Sequence, residues 1–225
     1  MIGSLICRTY WGIVEKKLQK LISFSLRQKG FVQETGCFNN VHILNEMIKA
    51  AKNKNGLVAI QLDIAKAFGT VPYKAIGAAL EHLGLPNGVW ESIMNSYTSL
   101  STTTEYGASK TVISLKRGVK QWDPLSPFII IAIIDLLLER LEQMKGYVFD
   151  ESLSLSVLAF ANDLILLPAT KDKVQSLLHD TECALRLRSA HPLKSGLQRV
   201  RGTSTTQAYA YQTAIRYQTW QQIAH

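Results

Sequence analysis

Hydrophobic positions along the chain alternate between two periods. Residues 158–167 read Leu158-Ala159-Phe160-Ala161-Asn162-Asp163-Leu164-Ile165-Leu166-Leu167, two short apolar runs around one polar pair. Each run suits a buried strand and is too short to span a bilayer. Asn162 and Asp163 predict a tight turn between them, because their side chains bond nearby backbone and tolerate unusual backbone angles. Residues 57–63 form another apolar run, ending in Asp63. It predicts a strand buried on both faces apart from Gln61. A hairpin is expected over residues 101–106 and 110–115, which are rich in Thr, Val and Ile and are separated by Gly107-Ala108-Ser109.

Between these strands the apolar spacing is helical. Residues 11–27 carry Val14, Leu18, Leu21 and Ile22 on one face, and Gly30 then breaks the pattern. A second helix is expected from an N-cap at Asn39 or Asn40 to residues 54–56, burying Val41, Leu44, Met47 and Ile48. Residues 74–83 predict a helix closed by Gly84, and 87–100 another. Asp123-Pro124 reads as an N-cap followed by Pro at the first helical position. That helix runs to about Met144, with Gly146 ending it and the stripe 128–138 forming core. Residues 171–188 are also helical by spacing. Beyond Glu182 there is no Asp or Glu, and periodicity fades, so a disordered basic tail is expected from 188 to 225.

Composition narrows the function. The chain has 225 residues, 47% of them hydrophobic, enough for a full core. Its net charge of +8 favours an anionic partner such as nucleic acid. Cys7, Cys37 and Cys183 form no CxxC pair, and the five histidines show no ligand spacing, so neither zinc nor a disulfide framework is expected. No signal segment and no membrane span are read, which predicts an intracellular protein, nuclear or cytoplasmic.

Asp63 and Asp163 each adjoin a buried strand, 100 residues apart. A carboxylate there costs free energy unless a cation meets it. Paired strand-end acids in a basic protein suggest Mg²⁺ held between protein and phosphate oxygens. The plainer alternative is that both acids merely serve turns.

Four segments carry a family resemblance. Gln28-Lys29-Gly30-Phe31, Leu62-Asp63-Ile64-Ala65-Lys66-Ala67-Phe68, Arg117-Gly118-Val119-Lys120-Gln121-Trp122-Asp123-Pro124-Leu125-Ser126-Pro127 and Phe160-Ala161-Asn162-Asp163 occur in this order. They resemble the motifs of reverse transcriptases, nearest to those of non-LTR retrotransposons that insert into ribosomal DNA. The resemblance spans residues 1–187. It implies an α+β fold: a polymerase palm of antiparallel sheet backed by helices over 57–187, partial helical fingers over 1–56, and no thumb. It implies RNA-directed DNA synthesis from dNTPs on an RNA template and DNA primer, with two Mg²⁺ ions. By position, Asp63 matches the first metal-binding acid and Ile64 the residue offering its carbonyl to the metal. Phe68 matches the gate against a ribose 2′-hydroxyl. Gln121 and Trp122 fall in the nucleotide-cradling loop, and Asn162 and Asp163 in the acid pair of the catalytic hairpin. Lys29, Arg117 and Lys120 are candidates for phosphate.

Four positions depart from that pattern. Asn162 stands where the family has an acid, Trp122 where it has Gly, Gly69 where it has Asp, and Ile131 where it has Asn. An indole at 122 is expected to obstruct the pocket or swing away. The chain is therefore expected to be catalytically impaired or dead. The alternative function is a non-catalytic nucleic-acid-binding remnant.

Overall fold

The computed structural model describes residues 5–32, 36–51, 57–64, 67–107, 109–150, 153–186, 197–199, 209–211 and 215–220. The framework is a long apolar helix, α6 (Leu125–Glu142), buried along most of its length. A helix apolar on all sides belongs inside. Around it pack α1 (Leu5–Leu21), α4 (Tyr73–His82), α5 (Asn87–Thr98) and α7 (Val174–Arg186), which follows a 3₁₀ turn at Lys171–Lys173. The start of α6 is fixed as expected: the Leu125 N–H donates to Asp123 Oδ1 at 2.9 Å.

The main sheet is antiparallel, formed by β1 (Ala59–Ile64), β6 (Val157–Phe160), β7 (Asp163–Leu166) and β10 (Ile215–Trp220), in the order β10-β1-β7-β6. One face carries Ile60, Leu62, Leu164, Leu166, Val157 and Ala159 into the core around α6. The other packs Ala59, Leu158 and Ile165 with Met47 and Ala51 of α2 (Gly36–Ala51). Burial of β1 is uneven: Ile60 and Leu62 are buried, whereas Ala59, Gln61 and Asp63 are half-buried. An antiparallel sheet does not need equal cover on both faces, so one half of the strand stays open to solvent.

The smaller elements are α3 (Ala67–Thr70), the exposed hairpin β2 (Ser101–Tyr106) and β3 (Ser109–Ser114), the pair β4 (Tyr147–Val148) and β5 (Ser154–Leu155), and the pair β8 (Leu197–Arg199) and β9 (Tyr209–Tyr211). Three short strands thus occur in the segment where the sequence predicts a disordered tail. Among the described residues, no helix is long and apolar enough to cross a membrane.

Several boundaries are set by contacts remote in sequence. α1 begins and ends earlier than its periodicity predicts, and Leu21 is exposed. The chain leaves the helix so that the Ser25 N–H can donate to Asp135 Oδ1 on α6 at 2.7 Å. Asn40 is not an N-cap. It lies within α2, buried, and its Nδ2 donates to the Ala159 carbonyl at 2.9 Å. That bond turns α2 so that Asn40, Met47 and Ala51 face inward and Val41 outward. α6 ends at Glu142, before Met144.

Candidate functional site

β1 and β7 are hydrogen-bonded neighbours, and their register pairs Asp63 with Asp163. Directly opposed residues of an antiparallel pair project to the same face. Both carboxylates therefore share the partly open face of the sheet with Gln61 and Ile165. The turn is displaced by one residue from its expected place. Phe160 pairs with Asp163, so the two-residue loop is Ala161-Asn162, and Asp163 is the first residue of β7. Ala161 takes the left-handed conformation, with φ 54°. A two-residue loop with positive φ at its first position suits the right-handed twist of the flanking strands.

Asn162 is thereby held against β1. Its Nδ2 donates to Asp63 Oδ1 at 3.3 Å, and its carbonyl accepts the Ile64 N–H at 3.4 Å. The carboxyl of Asp163 is pushed above its ordinary range, first by burial and then by the negative charge of Asp63. The structure thus joins Asp63, Ile64, Asn162 and Asp163. It sets two acids face to face, with an amide donor on one of them.

A single hard cation suits this group. Mg²⁺ takes oxygen donors and commonly keeps several waters. Two carboxylates and the Ile64 carbonyl are oxygens of the right kind, and a cation would offset both the burial and the Asp63 charge that raise Asp163. Among the described residues no group of three or more His, Cys, Asp or Glu side chains is assembled for a metal. Asn162 presents a donor to Asp63 because the opposite amide orientation would set its oxygen against a carboxylate.

Phe68 lies in α3 and packs against the main core. Its carbonyl accepts the Val119 N–H at 2.7 Å, and the Val71 carbonyl accepts the Gly118 N–H at 2.7 Å. Gly118 has φ 89°, and a Cβ there would lie 3.0 Å from the Gly69 carbonyl oxygen. These bonds tie the Arg117-Gly118-Val119 loop to the turn that carries Phe68. Gln121 and Trp122 lie at the surface just before α6. Trp122 swings away: it is 71% exposed, with φ 62°. That left-handed backbone explains why glycine suits this position better than an indole. Lys120 is turned inward, its ammonium 5.2 Å from the Tyr97 ring centroid, and burial lowers its pKa.

Sequence reasoning placed Gln28 in a fingers element and missed its position at this site. It is buried and bonded to Ala161 of the turn. No periodicity or turn signal marks such a residue; its signal was the resemblance carried by Gln28-Lys29-Gly30-Phe31.

The sequence model of a family described as reverse transcriptase (RNA-dependent DNA polymerase) matches residues 1–191. The chain is 33% identical over 187 residues to the retrovirus-related Pol polyprotein from type-1 retrotransposable element R2 of Nasonia vitripennis, across 82% of this chain and 18% of that protein. It is 34% identical over 172 residues to the corresponding R2 polyprotein of Popillia japonica, across 74% of this chain and 24% of that protein. The chain spans less than a quarter of the length of these curated relatives. Among solved structures it resembles apo telomerase from Candida tropicalis, truncated from its C-terminal domain, with a TM-score of 0.50 and 14% identity. That likeness covers 80% of this chain and 36% of the telomerase chain, and it concerns the fold.

Proposed function

The chain belongs to the reverse transcriptase (RNA-dependent DNA polymerase) family, and we propose that it is a fingers-and-palm piece of an R2-like non-LTR retrotransposon polymerase with an impaired active site. Residues 1–56 are the fingers portion and 57–187 the palm. The ancestral reaction adds a dNTP to a primer 3′-hydroxyl on an RNA template. The observation that carries this reading is the pairing of Asp63 with Asp163 on adjacent strands, beside a turn whose Asn162 donates to Asp63.

Asp63, Asp163 and the Ile64 carbonyl would hold a divalent cation. When bound, such an ion stabilises charge developing on phosphoryl oxygens. The protein's own part is positional. β1 and β7 fix the two carboxylates across one ladder, and the hydrogen bonds from residues 118 and 119 hold the basic loop against the Phe68 turn. Phe68 is the gate against a 2′-hydroxyl, and Gln121 with Trp122 forms part of the nucleotide-cradling loop. Asn162 supplies no negative charge and occupies one oxygen of Asp63. Several kcal/mol of lost charge stabilisation lowers the rate by roughly 10²- to 10⁴-fold.

Primer extension on an RNA template, in Mg²⁺ and in Mn²⁺, tests the proposal. The chain is expected to give no measurable product while binding RNA with an affinity that falls steeply with salt. Extension at the rate of an intact relative overturns the impairment. Failure to bind RNA at low salt overturns the nucleic-acid assignment. A binding remnant is the second reading, favoured by the net charge of +8 and the basic run at residues 116–120; RNA binding without extension is also its outcome.

A further inference from the structure

We infer that Gln28 is a positioning residue for the hairpin that carries Asn162 and Asp163; this rests on reading that hairpin as the polymerase metal site. Gln28 is buried, at 1% exposure. Its Oε1 accepts the Ala161 N–H at 2.7 Å and the Gly30 N–H at 2.8 Å. Its Nε2 donates to the Ala161 carbonyl at 3.1 Å. One primary amide thus meets both main-chain groups of the first turn residue, as a neighbouring strand would. Donor and acceptor must sit side by side for this, and among side chains that are neutral at pH 7 the primary amides of Gln and Asn offer that pair. Asn is one methylene shorter.

The surrounding backbone holds the amide in place. The Lys29 N–H donates to the Ala159 carbonyl at 2.9 Å, and the Ala159 N–H donates to the Arg27 carbonyl at 3.0 Å. Residues 27–29 therefore run as a short parallel partner along β6, with Gln28 opposite Ala159. Gly30 permits the approach, since a Cβ there would lie 2.2 Å from the Ala161 nitrogen. Ala161 has positive φ, a conformation that L-residues adopt rarely and that needs support from its surroundings. Holding both of its main-chain groups fixes the orientation of the peptide that leads into Asn162. That orientation decides whether Asn162 meets Asp63 and whether Asp163 enters the ladder opposite it. The Gln-Lys-Gly run is thereby a clamp on the site, built from the other end of the chain.

The test uses the full chain and two variants, Gln28→Met and Gln28→Glu. Met keeps the volume and removes all three bonds. Amide exchange at Ala161, normalised to the slowest-exchanging core amides, is expected to rise at least 10-fold in Gln28→Met. In Gln28→Glu the neutral carboxyl can accept two N–H groups and donate to the Ala161 carbonyl, whereas the ionised form repels that carbonyl. Protection of Ala161, corrected for intrinsic exchange, is therefore expected to recover as pH falls. This profile needs no comparison with Gln28→Met, so it stands even if that variant folds poorly. A filler role predicts a pH dependence shared with the core amides, since burial alone opposes ionisation, and none specific to Ala161; unchanged protection in both variants overturns the clamp. For positioning, Mg²⁺ affinity is measured by calorimetry in Asn162→Asp with and without Gln28→Glu, at a pH where the introduced carboxyl is ionised. A loss of at least 10-fold is expected; equal affinity overturns positioning. If Asn162→Asp itself binds no Mg²⁺, the polymerase reading fails and the positioning role falls with it, while the exchange data still decide the clamp.

Discussion

Replacing Asn162 by Asp converts a self-satisfied polar group into one that needs a cation, and the consequence is measurable as stability. In the present chain the amide donates to Asp63 Oδ1 at 3.3 Å. Asn162→Asp removes that bond, worth about 1 kcal/mol net, and sets a third carboxylate beside two. At such separations like charges repel by roughly 1 kcal/mol in bulk water and about 4 kcal/mol in a surface-like dielectric. The site is half-open, so a combined loss of about 2–4 kcal/mol without metal is expected. For a chain of this size that lowers the thermal midpoint by about 4–16 °C. Mg²⁺ should return the loss, since a ligand at 100 times its Kd stabilises by about 2.7 kcal/mol. The assay is thermal denaturation of both proteins across a Mg²⁺ titration at constant ionic strength. The variant's midpoint should start lower and climb with Mg²⁺, while the parent's moves little. A variant as stable as the parent without metal refutes the argument, as does an equal response of both proteins to Mg²⁺.

Two further perturbations probe other parts of the structure. Trp122 sits at φ 62° with its ring 71% exposed, so Trp122→Gly relieves about 1–2 kcal/mol of backbone strain against about 0.5–1 kcal/mol of added unfolded-state freedom. A net gain of about 0.5–1 kcal/mol in urea denaturation is expected, and a loss counts against the strain. Asp135 is buried in α6 with its pKa raised, chiefly by burial. Its folded pKa exceeds its unfolded one, so the folded chain holds the proton more tightly. Stability should therefore fall as pH rises from the ordinary carboxylate value through the raised one, then level off. Asp135→Asn should remove that slope, and a pH–stability curve unchanged by the substitution would show that the proton resides elsewhere.

What the sequence revealed follows the range of the forces involved. α6 was legible because every face of it is apolar, and β1, β6 and β7 because their apolar runs are short and bounded. Asp63 and Asp163 were legible as strand-end acids, and the motif order joined them. Elements fixed by remote partners were not. α1 stops at Leu21, shortly before Ser25 meets Asp135, 110 residues away. α2 is oriented by Asn40 on Ala159, 119 residues away. The turn register was off by one because Asn and Asp are both good turn formers, whereas the ladder of Phe160 with Asp163 assigned the left-handed position to Ala161. Gln28 carried no signal in periodicity or turn chemistry, only its place in a motif, because two of its three bonds reach 133 residues along the chain.

Scaffold and charge are separable in this site. The contacts that shape the hairpin are main-chain bonds to residues 27 and 29, the ladder to β1, and the amides of Gln28 and Asn40; none of these needs an acid at position 162. An Asp-to-Asn change there leaves these bonds intact, so the geometry of a polymerase hairpin persists when its charge falls. Charge then limits the chemistry. Asp63 and Asp163 can together balance one divalent ion. A two-ion clamp on attacking and leaving oxygens would place a second double charge that substrate phosphates, rather than a third acid at position 162, would have to balance. On the function proposed above, the expected state is one loosely held cation that orders the site without supporting the transfer. Restoring the acid at 162 is the smallest change that supplies the missing charge.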